Sequence, residues 1–428
     1  MTAPAVWILA GVRTPFARAG TVLRGMSAVE LGRLAVGELL ARQELDPERL
    51  DEVILGNCAQ PAEAANLARV TALRAGIPER VPGMTVHRNC ASGMEAVGLA
   101  AERVQLGRAR LVMAGGTESM SQVPLLYPPE FGRWLDDLAR AKRPLARLSA
   151  ALRFRPAMLR PRPALLEALT DPVCGLGMGE TAEVLARDFD LGRERQDEFA
   201  LLSHQRAAAA RERLREEIMP VFPPPACELM TDDLGPREGQ TLGQLARLKP
   251  CFDRRNGTVT VGNACPVTDG AVALLVGDDE TAGGWPVPPL GRVRAWAVAG
   301  LSPRRMGLGP VHAMARVLDE TGLALEDIEL FEINEAFAVQ VLACLEAARS
   351  VEFARAELDR GRGLGEIPLE RLNVNGGAIA LGHPVGASGA RLLLTLLLEM
   401  RRRGAKRGLA ALCVGGGQGA AFVLERDG

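Results

Sequence analysis

The sequence predicts a duplicated α/β fold, and three observations carry that reading. Strand-length apolar runs alternate with helical patterns, which implies crossover units and a parallel sheet. One succession occurs near the start of the chain and again in its last third: helix, turn, strand ending in Asn, glycine-bearing turn with Cys or His, helix, strand ending in Gly-Gly. A segment of different composition, rich in Pro and Arg, separates the two copies.

Val6 to Val12 reads as a buried strand, ended by Arg13-Thr-Pro-Phe. Ser27 caps a helix through about Gln43, with apolar residues on one face. Glu52 to Gly56 is a strand that ends at Asn57, and Asn66 to Ala75 is helical. Gly83 to Val86 leads into Asn89-Cys-Ala-Ser-Gly, a helix from Met94 to Gln105, and a strand from Ala109 closed by Gly115-Gly116. The second copy runs from the Val311–Thr321 helix through a strand ending at Asn334, the turn at His383, a helix, and the Leu409–Val414 strand closed by Gly415-Gly416. Asn57 thus matches Asn334, and Cys90 matches His383. Residues 1–120 with 248–282 form the first half, 121–247 a mostly helical insertion with helices at Glu180–Glu217, and 283–428 the second half. Thr258 to Val261 reads as a strand that helps the chain rejoin the first sheet.

At 428 residues, 47% hydrophobic and 24% charged, the chain has material for two or three domains. A net charge of −1 gives no global pointer to nucleic acid or acidic lipid. The eight Cys form no CxxC pair or zinc-finger spacing, so free thiols in a reducing, cytoplasmic setting are expected. No apolar run reaches membrane-spanning length.

The stretch Asn373 to Arg391 holds five glycines and one of only four His in the chain. Glycine concentrates where backbone approaches something closely, so His383 reads as catalytic. Cys90 at a glycine-containing helix start reads as a nucleophile with a lowered pKa; an inert buried Cys is the alternative. Cys413 precedes Val414-Gly-Gly-Gly-Gln-Gly419, whose N–H groups suit an anion nest or one arm of an oxyanion hole. Asn334 reads as a helix cap or as an amide that orients a water, and Glu335 as favourable charge at a helix start. Residues 131–166 carry nine Lys/Arg against Asp136 and Asp137, with Trp134, Leu145, Leu148 and Leu152 interleaved. They read as a solvated face over the insertion's own core; a basic amphipathic surface for a membrane or a partner is the alternative.

Taken together the motifs resemble the thiolase family over nearly the whole chain. They include Asn89-Cys-Ala-Ser-Gly-Met-Glu-Ala, Gly115-Gly-Thr-Glu-Ser-Met-Ser, Gly262-Asn-Ala-Cys-Pro, Asn334-Glu-Ala-Phe-Ala, Asn375 to Gly389 and Cys413-Val-Gly-Gly-Gly-Gln-Gly. The N-terminal stretch and the basic insertion look most like the trifunctional-enzyme β-subunit branch. The resemblance implies two halves with mixed five-stranded sheets, layered αβαβα, plus a helical loop domain. It implies an acyltransferase that cleaves 3-ketoacyl-CoA with CoA, or condenses in reverse. Cys90 would be the nucleophile, His383 the base, Cys413 the second acid–base group and Asn334 a water holder. Backbone N–H groups of Cys90 and Gly415 would form an oxyanion hole. Met178, Gly262, Cys265 and Gly382 would contact CoA, with Gly177 and Cys265 standing where the family often has His and Ser. It implies no cofactor beyond the substrate CoA, a homodimer or homotetramer, and a β-oxidation hydratase/dehydrogenase subunit as partner through 131–166. An acetoacetyl-CoA-specific acetyltransferase, a decarboxylating ketoacyl synthase and a non-catalytic acyl-CoA scaffold are the alternatives.

Overall fold

The computed structural model describes residues 5–426. Contacts divide the chain into two compact units, one of Met1–Gln122 with Asp171–Gly428, the other of Val123–Thr170.

The larger unit opens with β1 (Val6–Arg13), the two-residue β2 (Ala17–Arg18), α1 (Ala28–Arg42), β3 (Glu52–Gly56), α2 (Leu67–Arg74), β4 (Gly83–Val86), α3 (Ser92–Gln105) and β5 (Leu111–Ser119). Ser27 and Asn66 side chains accept the first free N–H groups of α1 and α2, as their residue types require. β5 does not close at Gly115-Gly116 but runs through them. A Cβ there would lie 2.1 Å from the Val272 carbonyl or 1.9 Å from that of Gly386, so glycine lets the strand continue under close backbone.

The smaller unit holds β6 (Leu125–Leu126), α4 (Pro129–Arg140), α5 (Pro144–Leu152) and β7 (Arg162–Pro163). Its interior is a chain of rings: Tyr127 on Phe131, Phe131 on Trp134, and Trp134 on Phe154, with centroids 5.1, 5.8 and 5.1 Å apart. The separable unit is thus shorter than the 121–247 insertion.

Residues 171–247 fold with the larger unit. Arg13, fully buried, pairs with Glu217 at 2.6 Å and with Asp233 at 2.7 Å. α6 (Met178–Asp188) and α7 (Arg193–Ala209) are the two expected helices, but the second breaks at Ala210 before a helical turn over Arg211–Leu214 and does not run unbroken to Glu217. Thr258 to Val261 is not a strand. The Glu183 carboxylate accepts from the N–H groups of Thr258 and Val259, so a side chain takes the donors a ladder would need.

The chain continues through β8 (Thr268–Gly277), β9 (Gly291–Gly300), α8 (Gly309–Thr321), β10 (Leu330–Ile333), α9 (Ala338–Arg349), α10 (Ala378–Leu381), α11 (Val385–Arg403), β11 (Arg407–Val414) and β12 (Gln418–Glu425). The strands order as β10-β11-β12-β9-β1-β8-β5-β3-β4, with β2 on β8. The sheet is mixed where the sequence pattern implied a parallel one. β8 enters antiparallel between β1 and β5, and β12 antiparallel between β11 and β9. Alternating helices and strands do not reveal a strand that returns without a crossover.

Each half repeats one order. β4-β3-β5-β8-β1 corresponds to the Leu372 bridge with Phe331, then β10, β11, β12 and β9. Within the sheet the two sets of strands are joined where Val6–Ile8 pairs antiparallel with Gly291–Val293. α3 and α11 pack together between the two sets of strands, while α1 and α2 cover one outer face and α8 the other. One apolar cluster fills the centre and two fill the outer layers, which gives the layered αβαβα plan. α11 is buried on all sides from Gly386 to Met400, as a helix apolar all round must be.

Candidate active site

The turns before the two central helices meet. A Cβ on Gly93, at the start of α3, would lie 2.7 Å from the Gly386 carbonyl at the start of α11. One on Gly389 would lie 2.5 Å from the Met94 nitrogen. Small residues at these positions let the helix starts touch, which brings Cys90 and His383 onto adjoining turns.

Cys90 sits two residues before α3, partly accessible to solvent. Asn89 before it adopts φ of 42°, a left-handed conformation that Asn tolerates. Its Nδ2 donates to the Gly415 carbonyl at 2.7 Å, tying this turn to the loop after β11. The Cys58 Sγ and Ser92 Oγ both donate to the Asn89 carbonyl, at 2.9 and 2.7 Å. The N–H groups of Gly415 and of Cys90 itself favour the thiolate form of Cys90. Burial nevertheless pushes the thiol above its ordinary value, and those two N–H groups offset only part of it. The expectation of a lowered pKa is therefore corrected: desolvation outweighs the helix start.

Cys413 is the penultimate residue of β11 and is 1% exposed. Burial holds its thiol well above the ordinary range, with the neighbouring Cys90 next in effect. Gly416 and Gly417 take φ of 89° and 80°; at Gly417 a Cβ would strike the Leu301 carbonyl at 2.3 Å. Cys265 also lies within electrostatic reach of Cys90 and is pushed up to about 12, chiefly by burial.

His383 follows Gly382, whose φ is 105° and whose Cβ would lie 2.5 Å from the Thr268 hydroxyl. That hydroxyl accepts from the His383 N–H at 3.1 Å. His383 Nδ1 is 2.6 Å from Ser388 Oγ, and Ser388 spends its one hydrogen on the Pro384 carbonyl at 3.0 Å. The network assigns the proton to Nδ1 and leaves Nε2 a bare acceptor. Nε2 is buried with no hydrogen-bond partner. Burial, then the charge of Arg391, lowers the imidazole to about 4. Asn334 is fully buried, and neither Oδ1 nor Nδ2 has a partner. It is not a cap, because the following helix starts at Ala338. Two buried side chains with free polar atoms are an open recognition site, since such atoms are ordinarily paired.

Two carboxylates that sequence reasoning did not place hold these loops. Glu118 accepts from the Asn57 amide and the N–H groups of Cys58, Ala59 and Gly386, all within 2.8–3.0 Å. It fastens the loop after β3 to the start of α11. Glu335 accepts from Ser203 at 2.6 Å, Asn373 at 2.8 Å and the Ile379 N–H at 3.2 Å. It braces the loop before His383 and is not charge at a helix start.

Of the other candidates, Met178 starts α6 with its sulfur 3.3 Å from a Cβ on Gly415. The Cys265 N–H donates to the Ala336 carbonyl at 3.0 Å, and Val267 bridges His383, so this loop lines both turns of the second half. Gly262 is packed on Leu245 and Leu248 and is not brought to the reactive atoms. A groove of about 550 Å³ lined by Thr21, Val22, Pro224, Leu229 and Met230 holds none of these residues.

A buried thiol pushed up and an imidazole lowered to about 4 are both neutral near pH 7. Alkylation of Cys90 by iodoacetamide should therefore climb about tenfold per pH unit from about pH 6 to 9. A plateau reached below pH 7 would mean a preformed thiolate–imidazolium pair and contradict this. The folded His383 sits below its ordinary 6.5. The stability this contributes is present above that value and is lost as pH falls toward 4.

The chain matches two family models, "Thiolase, N-terminal domain" over residues 6–280 and "Thiolase, C-terminal domain" over 287–426. It is 41% identical over 420 residues to a 3-ketoacyl-CoA thiolase of Erwinia tasmaniensis, covering 97% of this chain and 95% of that one. It is 40% identical over 421 residues to a Yersinia pestis protein of the same name, covering 98% and 96%. Among solved structures, the Bacillus anthracis acetyl-CoA acetyltransferase superposes with a TM-score of 0.86 at 37% identity, covering 99% of both chains. The human mitochondrial 3-ketoacyl-CoA thiolase in complex with CoA does so with 0.84 at 35%, covering 99% and 98%.

Proposed function

The chain belongs to the thiolase family and is an acyltransferase, and on that premise we propose that it cleaves 3-ketoacyl-CoA with CoA, or condenses in reverse, through an acyl thioester on Cys90. The observation that carries the reading is the bare, unpartnered Nε2 of His383 on a turn packed against that of Cys90. Residues 1–120 with 248–282 lend the nucleophile, and 283–428 lends the base and the second thiol.

The Cys90 thiol gives its proton to His383 Nε2 as the sulfur attacks the 3-keto carbon. The bond between C2 and C3 breaks, its electron pair goes to C2, and the Cys413 thiol protonates C2 to release acetyl-CoA. The Cys413 thiolate then takes the proton of an incoming CoA thiol. That thiolate captures the acyl group, and the imidazolium returns its proton to Cys90. Covalent capture divides a carbon–carbon cleavage into two easier steps. A thiol held neutral, as Cys413 is, is an acid in reserve for a strongly basic enolate. The N–H groups of Cys90 and Gly415 would face one developing oxyanion, and His383 with a water on Asn334 the other. Met178, Gly262, Cys265 and Gly382 are assigned to CoA; of these, Met178 lies against Gly415 and Cys265 near Cys90. The steps call for no metal or redox group, CoA being a substrate.

A cytoplasmic location, a homodimer or homotetramer, and a hydratase/dehydrogenase subunit on 131–166 complete the reading. Among the described residues no helix is long and apolar enough to cross a membrane. The test is absorbance of acetoacetyl-CoA and of a long-chain 3-ketoacyl-CoA. A CoA-dependent fall with either is expected, and the ratio of the two rates separates a broad enzyme from an acetoacetyl-CoA-specific one. No fall with either would overturn the proposal.

A further inference from the structure

The two N–H groups that would face the acyl oxyanion come from different halves of the chain. That of Cys90 belongs to the turn before α3, and that of Gly415 to the turn between β11 and β12. Such a pair is effective only while its separation is fixed before charge develops. The second turn has little stiffness of its own. Between the last ladder pair, Val414 with Gln418, it consists of Gly415, Gly416 and Gly417. Glycine is the residue with the most conformational freedom to lose. The Leu301 carbonyl wedges Gly417, but the nearest atom to a Cβ on Gly415 or Gly416 is the Met178 sulfur at 3.3 Å, and no backbone wedges either.

Two side chains supply the missing hold, and they directly precede Cys90. Asn89 Nδ2 donates to the Gly415 carbonyl at 2.7 Å, and Arg88 Nη1 donates to Gln418 Oε1 at 3.0 Å. Among the described residues no other side chain of the first half donates to residues 415–418. Both arms have firm supports. The Asn89 carbonyl accepts from the Ser92 N–H at 3.0 Å, the Ser92 Oγ at 2.7 Å and the Cys58 Sγ at 2.9 Å. Arg88 Nε donates to Glu95 of α3 at 2.6 Å. Asn also accepts the φ of 42° at this position, which a β-branched residue would not. We infer that Asn89, seconded by Arg88, is a positioning residue: its amide sets the Gly415 peptide across from Cys90, so that one oxyanion hole is built from both halves. This rests on the acyl-Cys90 reading above. The Gly415 N–H already favours the thiolate form of Cys90, as a donor aimed at that sulfur must.

The test compares Asn89→Gly and Asn89→Asp with the parent. Glycine keeps the positive φ and drops the amide, while aspartate keeps the size and sets an oxygen against the Gly415 carbonyl. Turnover of saturating 3-ketoacyl-CoA should fall about 30-fold or more in both, with KM within about threefold, because the donors act on charge that forms only in the transition state. Acetylation of Cys90 by acetyl-CoA should slow in parallel. Alkylation of Asn89→Gly by iodoacetamide at about pH 8 should slow about threefold or more, since the Gly415 N–H no longer meets the sulfur. A merely structural role would loosen the turn, expose the sulfur and speed alkylation. Faster alkylation of Asn89→Gly, a loss carried by KM alone, or turnover within about threefold of the parent in both variants would overturn the inference. A parent that neither turns over 3-ketoacyl-CoA nor becomes acetylated would overturn the acyl-Cys90 reading itself, and the inference with it.

Discussion

Cys90→Ser is expected to lower turnover of 3-ketoacyl-CoA by about 10⁴-fold or more, with the melting temperature nearly unchanged. The change swaps one atom on a turn held by the bonds from Asn89 Nδ2 to the Gly415 carbonyl and from Ser92 Oγ to the Asn89 carbonyl, neither of which involves the sulfur. What it removes is the low-energy thiolate that His383 Nε2 can generate. A serine hydroxyl gives up its proton far less readily, and burial raises that barrier further. The product of its attack would also be an ester, a poorer donor to CoA than a thioester. Alanine at this position should do the same, because it removes the nucleophile altogether. A loss of less than about tenfold would show that the bond-forming atom lies elsewhere.

Cys413→Ala carries the second large effect and divides the reaction. The Cys413 thiol is placed to move protons at C2 and not to form the acyl bond. Carbon–carbon cleavage and condensation should both fall by about 10³-fold, within the span for removal of a general acid or base. Exchange of the acetyl-CoA methyl protons with deuterated water should fall in parallel. Acetylation of Cys90 by acetyl-CoA, which needs only the nucleophile and His383, should persist. Cys413 is buried in the outer cluster, so the alanine leaves a small void and a modest loss of stability. Persistent acetylation distinguishes that from a lost proton carrier. Full deuterium exchange in this variant would transfer the role to Cys265, the other thiol near Cys90.

How much of this was legible in the sequence follows from how local each signal is. Cys90, His383 and Cys413 stand in glycine-bearing turns at the ends of strands or starts of helices, and such turns announce themselves over a few residues. The repeat of that pattern made the two-half plan legible as well. Glu118 and Glu335 were not legible as braces. Each is one acidic residue whose partners lie far along the chain: Gly386 for Glu118, and Ser203 with Asn373 for Glu335. No spacing rule encodes such a contact. Strand direction was hidden for a like reason, since β8 returns after the insertion and β12 after a tight turn. The Cys90 pKa was misjudged because the helix start is visible in sequence and the depth of burial is not. In α5 the spacing of the leucines was plain, but only the position of Ala150 against Trp134 shows which way they face.

The central claim is that one sulfur, Cys90, holds the acyl group while His383 and Cys413 handle protons around it. The most direct measurement is mass spectrometry of the protein incubated with acetyl-CoA without free CoA, quenched in acid and digested. The account predicts a single acetyl group on the peptide that contains Cys90, removed when CoA is added. Acetyl on Cys265 or Cys413 instead, or none at all in a preparation that turns over 3-ketoacyl-CoA, would contradict it.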